Sequence, residues 1–257
     1  MTRTTPSPAA RPTTPPTAPA PAPGTTHAPA RATVAWTATA AVAAGMLLLL
    51  FPVLRPWPDE SVPSLALAQA FASDRWVLAH LCGIAGLGLL APTFLGLRSV
   101  LHRTPPAAGG PGSRAATAAV VTSWSGAGLC ALYFGAEIFG IRTIAQAALR
   151  DGDPALLADV DVLREQPAAM ALFGLGLALV AAAGILAAVA AWRGGLRPRW
   201  SVVPLAAGLL LYLPQFFGTP ALRVGHGVLV AVGLLLVAWA VRRAPAPGTT
   251  TAGHPVG

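Results

Sequence analysis

The chain has 257 residues, of which 54% are hydrophobic and only 10% charged, and no water-facing exterior can be built from such a composition. Its formal charge of +8 comes entirely from arginine, because the sequence holds no lysine. The arginines flank apolar stretches instead of clustering with aromatics on one helix face, which speaks against nucleic acid and suits an anionic membrane leaflet. The bias towards Ala, Gly, Pro and Arg points to a GC-rich bacterial genome.

Residues 1–31 carry nine prolines and no large apolar residue after Met1. That composition predicts a disordered tail, because it buries too little surface to offset the entropy of ordering. The first apolar stretch, 33–54, has 22 residues, about 33 Å as a helix against a hydrocarbon core of about 30 Å. A long polar tail precedes it, so it is expected to stay as an anchor and not to be cleaved as a signal peptide. Residues 64–73 place Leu65, Leu67, Ala68 and Phe71 in a helical rhythm and predict a short surface helix. The second span, 76–97, holds Gly83, Gly86, Gly88 and Gly96 for close packing and should bend near Pro92.

The third span, 116–141, is expected to run on towards Arg150 until the turn Asp151-Gly152-Asp153-Pro154 stops it. Asp153 then reads as an N-cap and Pro154 as a first helical residue, opening a short helix through Glu165. A fourth span follows at 168–192 and a sixth at 223–241. Between them, 201–217 is short for a crossing and carries Pro204 and Pro214, which predicts a broken helix. Residues 244–257 are again rich in Pro, Gly and Thr and are expected to be disordered. The predicted architecture is therefore an all-α bundle of six transmembrane helices over 32–243, between two disordered tails.

Charge supports that count. Alternate polar segments hold eleven arginines and no acid: Arg3, Arg11, Arg31, Arg98, Arg103, Arg114, Arg193, Arg197, Arg199, Arg242 and Arg243. The other set holds six arginines and all nine acids, Glu137 alone lying inside a span. Cytoplasmic loops collect positive charge, so both termini are expected in the cytoplasm, and the protein in the bacterial cytoplasmic membrane. Trp57 and Trp76 then fall at the outer boundary and Trp36, Trp192, Trp200 and Trp239 at the inner one, as interfacial belts do. Trp124 lies mid-span and is expected to serve packing.

Ionisable groups inside spans are the default functional candidates, because hydrocarbon penalises them unless they are paired or face a cavity. His80, Glu137, Gln215 and His226 all fall within about two turns of the outer boundary once helix directions are followed. The leading reading is an extracytoplasmic-side pocket that binds or transports a small polar solute, an ion or a proton, and it favours a non-enzymatic role. A different class would use the same residues as ligands, with His80 and His226 as axial pair of a haem b, or His80, Glu137 and His226 around zinc. A third reading is structural or regulatory: Arg223 shares a helix face with His226 and would pair with Glu137 across helices. The acids around Asp151 lack the calcium-loop pattern, and no nucleophile elbow or phosphate-binding loop appears. Cys82 and Cys130 sit at different depths and are expected as separate buried thiols.

Overall fold

The computed structural model describes residues 27–102 and 111–244, and among these residues it contains helices and turns but no strand. Ten α-helices follow one another: α1 His27–Leu54, α2 Leu65–Ala72, α3 Asp74–Gly88, α4 Leu90–Leu101, α5 Pro111–Ala136, α6 Arg142–Asp151, α7 Ala158–Arg164, α8 Pro167–Arg193, α9 Val203–Leu210 and α10 Pro220–Arg242. Five continuous stretches are long and apolar enough to cross a membrane: Arg31–Leu54, Asp74–Leu101, Gly112–Asp151, Pro167–Arg193 and Pro220–Arg242. The predicted span at 201–217 differs. Its helix, Arg199–Leu210, is shorter than these five, about 18 Å of rise against a core of about 30 Å. A 3-10 turn at Pro214–Phe217 follows it, since Pro214 cannot continue the helical hydrogen bonding.

The remaining boundaries follow local chemistry. Ser64 caps α2 by accepting from the Leu67 amide, and Ser73 caps α3 by accepting from the Trp76 amide. The second span breaks at Leu89, between α3 and α4, because Pro92 offers no N–H to the carbonyl of Gly88, four residues earlier. The third stretch continues through a π-helical turn at Glu137–Ile141 and ends at Gly152, whose φ of +65° favours glycine. Asp153 then accepts from the Ala155 amide at 2.9 Å and opens a 3-10 turn leading into α7.

The first helix begins at His27, inside the predicted tail of 1–31, while residues 1–26 and 245–257 of the two predicted tails lie outside the described residues.

Packing relies on small residues. Helix α5 lies along α8 and α1 along α10. A side-chain carbon added at Gly126 would come within 2.7 Å of the Gly176 carbonyl oxygen, and one at Gly176 within 2.9 Å of the Cys130 sulfur. Two backbones approach this closely only where side chains are missing, as in other membrane bundles. Both cysteines are buried free thiols. Trp124 does not pack inside the bundle as expected: it is 73% exposed and faces away from it.

A second, smaller apolar cluster caps the end of the bundle that carries the acidic loops. There α2, α6 and α7 bury Leu67, Phe71, Ile141, Ala145 and Val160 around Trp76. The helix predicted at 64–73 is therefore present, but its apolar face meets α6.

Candidate functional site

Glu137 opens the π-helical turn of the third stretch and is buried. A π turn inserts an extra residue into the helical ladder and is often found where a side chain is aimed at a site. Here the indole Nε1 of Trp76 donates to the Glu137 backbone carbonyl at 3.1 Å. The Glu137 carboxylate accepts from Arg164 Nε at 2.8 Å through Oε1, and its Oε2 lies 3.3 Å from His80 Nε2.

The pairing extends outward. Arg164 Nη1 donates to Glu60 Oε2 at 2.8 Å, and Arg55 Nη2 donates to Glu60 Oε1 at 2.9 Å. His80, Glu137, Arg164, Glu60 and Arg55 thus form one alternating chain. Each buried charge meets an opposite one, which burial requires. Burial works against the charged form of Arg164, but the Glu137 and Glu60 carboxylates overcome it and raise its pKa above the ordinary arginine value. For Arg55 burial prevails and lowers the pKa, although Glu60 and Glu137 oppose it.

His80 is fixed on both sides. Its Nδ1 lies 2.7 Å from the Trp76 carbonyl oxygen, which can only accept, so Nδ1 carries a hydrogen. A neutral His80 would then turn an Nε2 lone pair towards the Glu137 carboxylate. The imidazole edge thus faces the carboxylate across 3.3 Å. Rings of Phe51, Trp76 and Phe134 surround the imidazole at centroid distances of 5.4, 4.3 and 5.7 Å.

These groups line a cavity of about 520 Å³ at the acidic end of the bundle. His80, Glu137, Gln215 and Arg223 all reach it, from α3, the π turn, the Pro214–Phe217 turn and α10. Tyr133 and Phe173, stacked with centroids 4.2 Å apart, and Phe216 form its apolar wall. Arg223 donates from Nε to the Gly218 carbonyl at 3.0 Å and from Nη2 to the Phe216 carbonyl. Its guanidinium carbon also lies 4.9 Å from the centre of the Trp57 ring, which Arg55 approaches at 4.4 Å.

Several expectations from sequence need correction. Glu137 pairs with Arg164 and not with Arg223, which among the described residues meets no carboxylate within ion-pair distance. His226 stands apart from His80: its Nε2 is held 2.7 Å from the Gly208 carbonyl oxygen, and it lines only a small neighbouring pocket with Gln215 and Arg223. Among the described residues no group of three His, Cys, Asp or Glu side chains gathers as metal ligands, so the zinc set His80, Glu137 and His226 is not assembled. Trp76, predicted in an interfacial belt, is fully buried as the bridge between His80 and the π turn.

Sequence reasoning passed over Arg55, Glu60 and Arg164 because they stand outside the apolar spans. A signal was available. They belong to the loop set where arginine is scarce, and a basic residue against that bias invites a search for a partner. Comparison of the chain with protein-family models, with curated proteins and with solved structures finds no match in any of the three.

Proposed function

We propose that the chain is a six-span protein of the bacterial cytoplasmic membrane with both termini in the cytoplasm. Its cavity opens on the extracytoplasmic side and binds or passes on a small polar solute, an ion or a proton. The observation that carries this reading is the cavity itself. At about 520 Å³, with an aromatic wall and a few convergent charged groups, it has the size and lining of a small-molecule site.

The sixth crossing rests on how the short segment lies against α10. Trp200 sits beside Trp239, with ring centroids 6.5 Å apart, and the Phe216 carbonyl accepts from Arg223. Between those contacts α10 advances from 223 to 239, about 24 Å of rise. A 3-10 turn, a short helix and a second 3-10 turn together cover most of a bilayer core. The charge parity agrees, because without this crossing Arg223 would lie with the arginine-only segments and Arg242 and Arg243 with the acidic ones.

Two experiments test the reading. Reporter fusions after Pro106 and after Asp151 are expected to give cytoplasmic and extracytoplasmic signals respectively, and the same signal at both would break the topology. Screening solutes by thermal shift should find ligands that raise the Tm of the native protein but not of Gln215→Trp, in which the cavity is filled. Equal stabilisation of both proteins would reject the cavity as the site.

A further inference from the structure

Resting on the reading of this cavity as a solute site, we propose that its ligand is an amphiphilic anion. A carboxylate or phosphate group sits on Arg223, and an apolar tail leaves along Phe173, Phe216 and Phe217.

Charge is the first argument. The cavity wall carries three guanidinium groups, from Arg55, Arg164 and Arg223, and two carboxylates, from Glu60 and Glu137, which leaves one positive charge before any proton on His80 is counted. Arg55 and Arg164 are paired with the carboxylates, so the excess lies on Arg223. A guanidinium does not lose its proton to escape burial. The Phe216 and Gly218 carbonyls orient Arg223 through two of its five N–H donors without neutralising it. A cationic ligand would meet repulsion, and a neutral one would leave the charge unbalanced. An anion completes the alternation begun at His80.

Shape is the second argument. The cavity lining also includes Met170, Leu213 and Phe217, which are 53, 46 and 87% exposed. Pro220 is exposed beside them, so apolar side chains make up most of the exposed lining, with Glu60 as its charged member. An inorganic anion would leave this wall and the Tyr133–Phe173 stack without a partner. A chain carrying an anionic head satisfies both ends of the cavity.

The test uses the full chain in nanodiscs of zwitterionic phosphatidylcholine and measures binding of decanoate, decanol and acetate, each corrected for uptake by empty discs. Decanoate is expected to bind about 10-fold more tightly than either of the others, and Arg223→Gln to bring it down to the level of decanol. Arg223→Lys, which keeps the charge but not the fork, should fall between the two. Decanoate bound equally by native protein, Arg223→Gln and Arg223→Lys would overturn the proposal, as would acetate bound as tightly as decanoate. Equal binding of decanol and decanoate that Gln215→Trp abolishes would reject the anion while leaving a solute site. Binding of all three probes that is unchanged in Gln215→Trp would reject the site as well. Adding phosphatidylglycerol to the discs separates the two sources of such a head: competition with decanoate puts a lipid headgroup on Arg223, and indifference puts a free amphiphilic anion there.

Discussion

The two ends of the bundle use arginine in different ways. At the end with no acidic residue, Arg199 and Arg243 lie over the rings of Trp192 and Trp239, and Arg98 donates to the hydroxyl of Thr117. At the opposite end Arg55 and Arg164 are drawn in from the loops and paired with Glu60 and Glu137 around a cavity. The first arrangement keeps its charge near the membrane surface, where a guanidinium stays hydrated or rests on an aromatic face. The second removes charge from water and therefore needs exact partners. Of the six arginines in the acidic set of segments, Arg55, Arg164 and Arg223 line the cavity, whereas Arg142 pairs with exposed Asp74.

The largest expected break in that contrast comes from Glu137→Ala. It leaves Arg164 and His80 facing an empty position and should cost about 3 to 5 kcal/mol, whereas Arg98→Ala should stay within about 0.5 kcal/mol. Equilibrium unfolding in detergent reads both, and similar losses would erase the difference between the ends. Between the ends, Gly176→Leu forces side-chain atoms into the contact with Gly126 and Cys130 and should cost about 1 to 3 kcal/mol by overpacking, in the same assay. A neutral result there would mean that the α5–α8 approach is looser than the 2.9 Å separating an added Gly176 carbon from the Cys130 sulfur.

His226→Leu sharpens the comparison within the acidic end. It removes one bond to the Gly208 carbonyl and should cost about 1 kcal/mol. His80→Leu, which also removes the carboxylate contact, should cost more, and the reverse order would make His226 the more important histidine. The smallest effect belongs to Arg142→Gln. Its partner Asp74 is largely exposed, so solvent screening limits the pair at 2.8 Å to about 0.2 to 1 kcal/mol, and raising the salt concentration should shrink it further.

Helical class, most span boundaries and the turn at Asp151–Pro154 were legible in the sequence, because each depends on local composition: apolar runs, a glycine at positive φ, a proline after an acidic cap. That His80, Glu137 and Gln215 meet at one end of the bundle was legible too, since helical rise and alternating direction bring their segments to the same end. Partner identity was not. Arg223 and Arg164 stand at similar distance from the membrane boundary, and helical rise does not tell which of them reaches Glu137. That choice depends on the connection after Asp153, where a 3-10 turn and α7 swing Arg164 back over the third stretch. Trp76 misled for the same reason: its sequence position is interfacial, but α2, α6 and α7 fold over it.

By itself, then, the sequence determined a helical membrane chain whose opposite ends differ in charge, because hydropathy and charge bias act residue by residue against the bilayer. Only the tertiary structure decided which buried charges neutralise one another and which guanidinium is left over, because pairing depends on helix azimuth and loop path, and neither is written in a one-dimensional pattern.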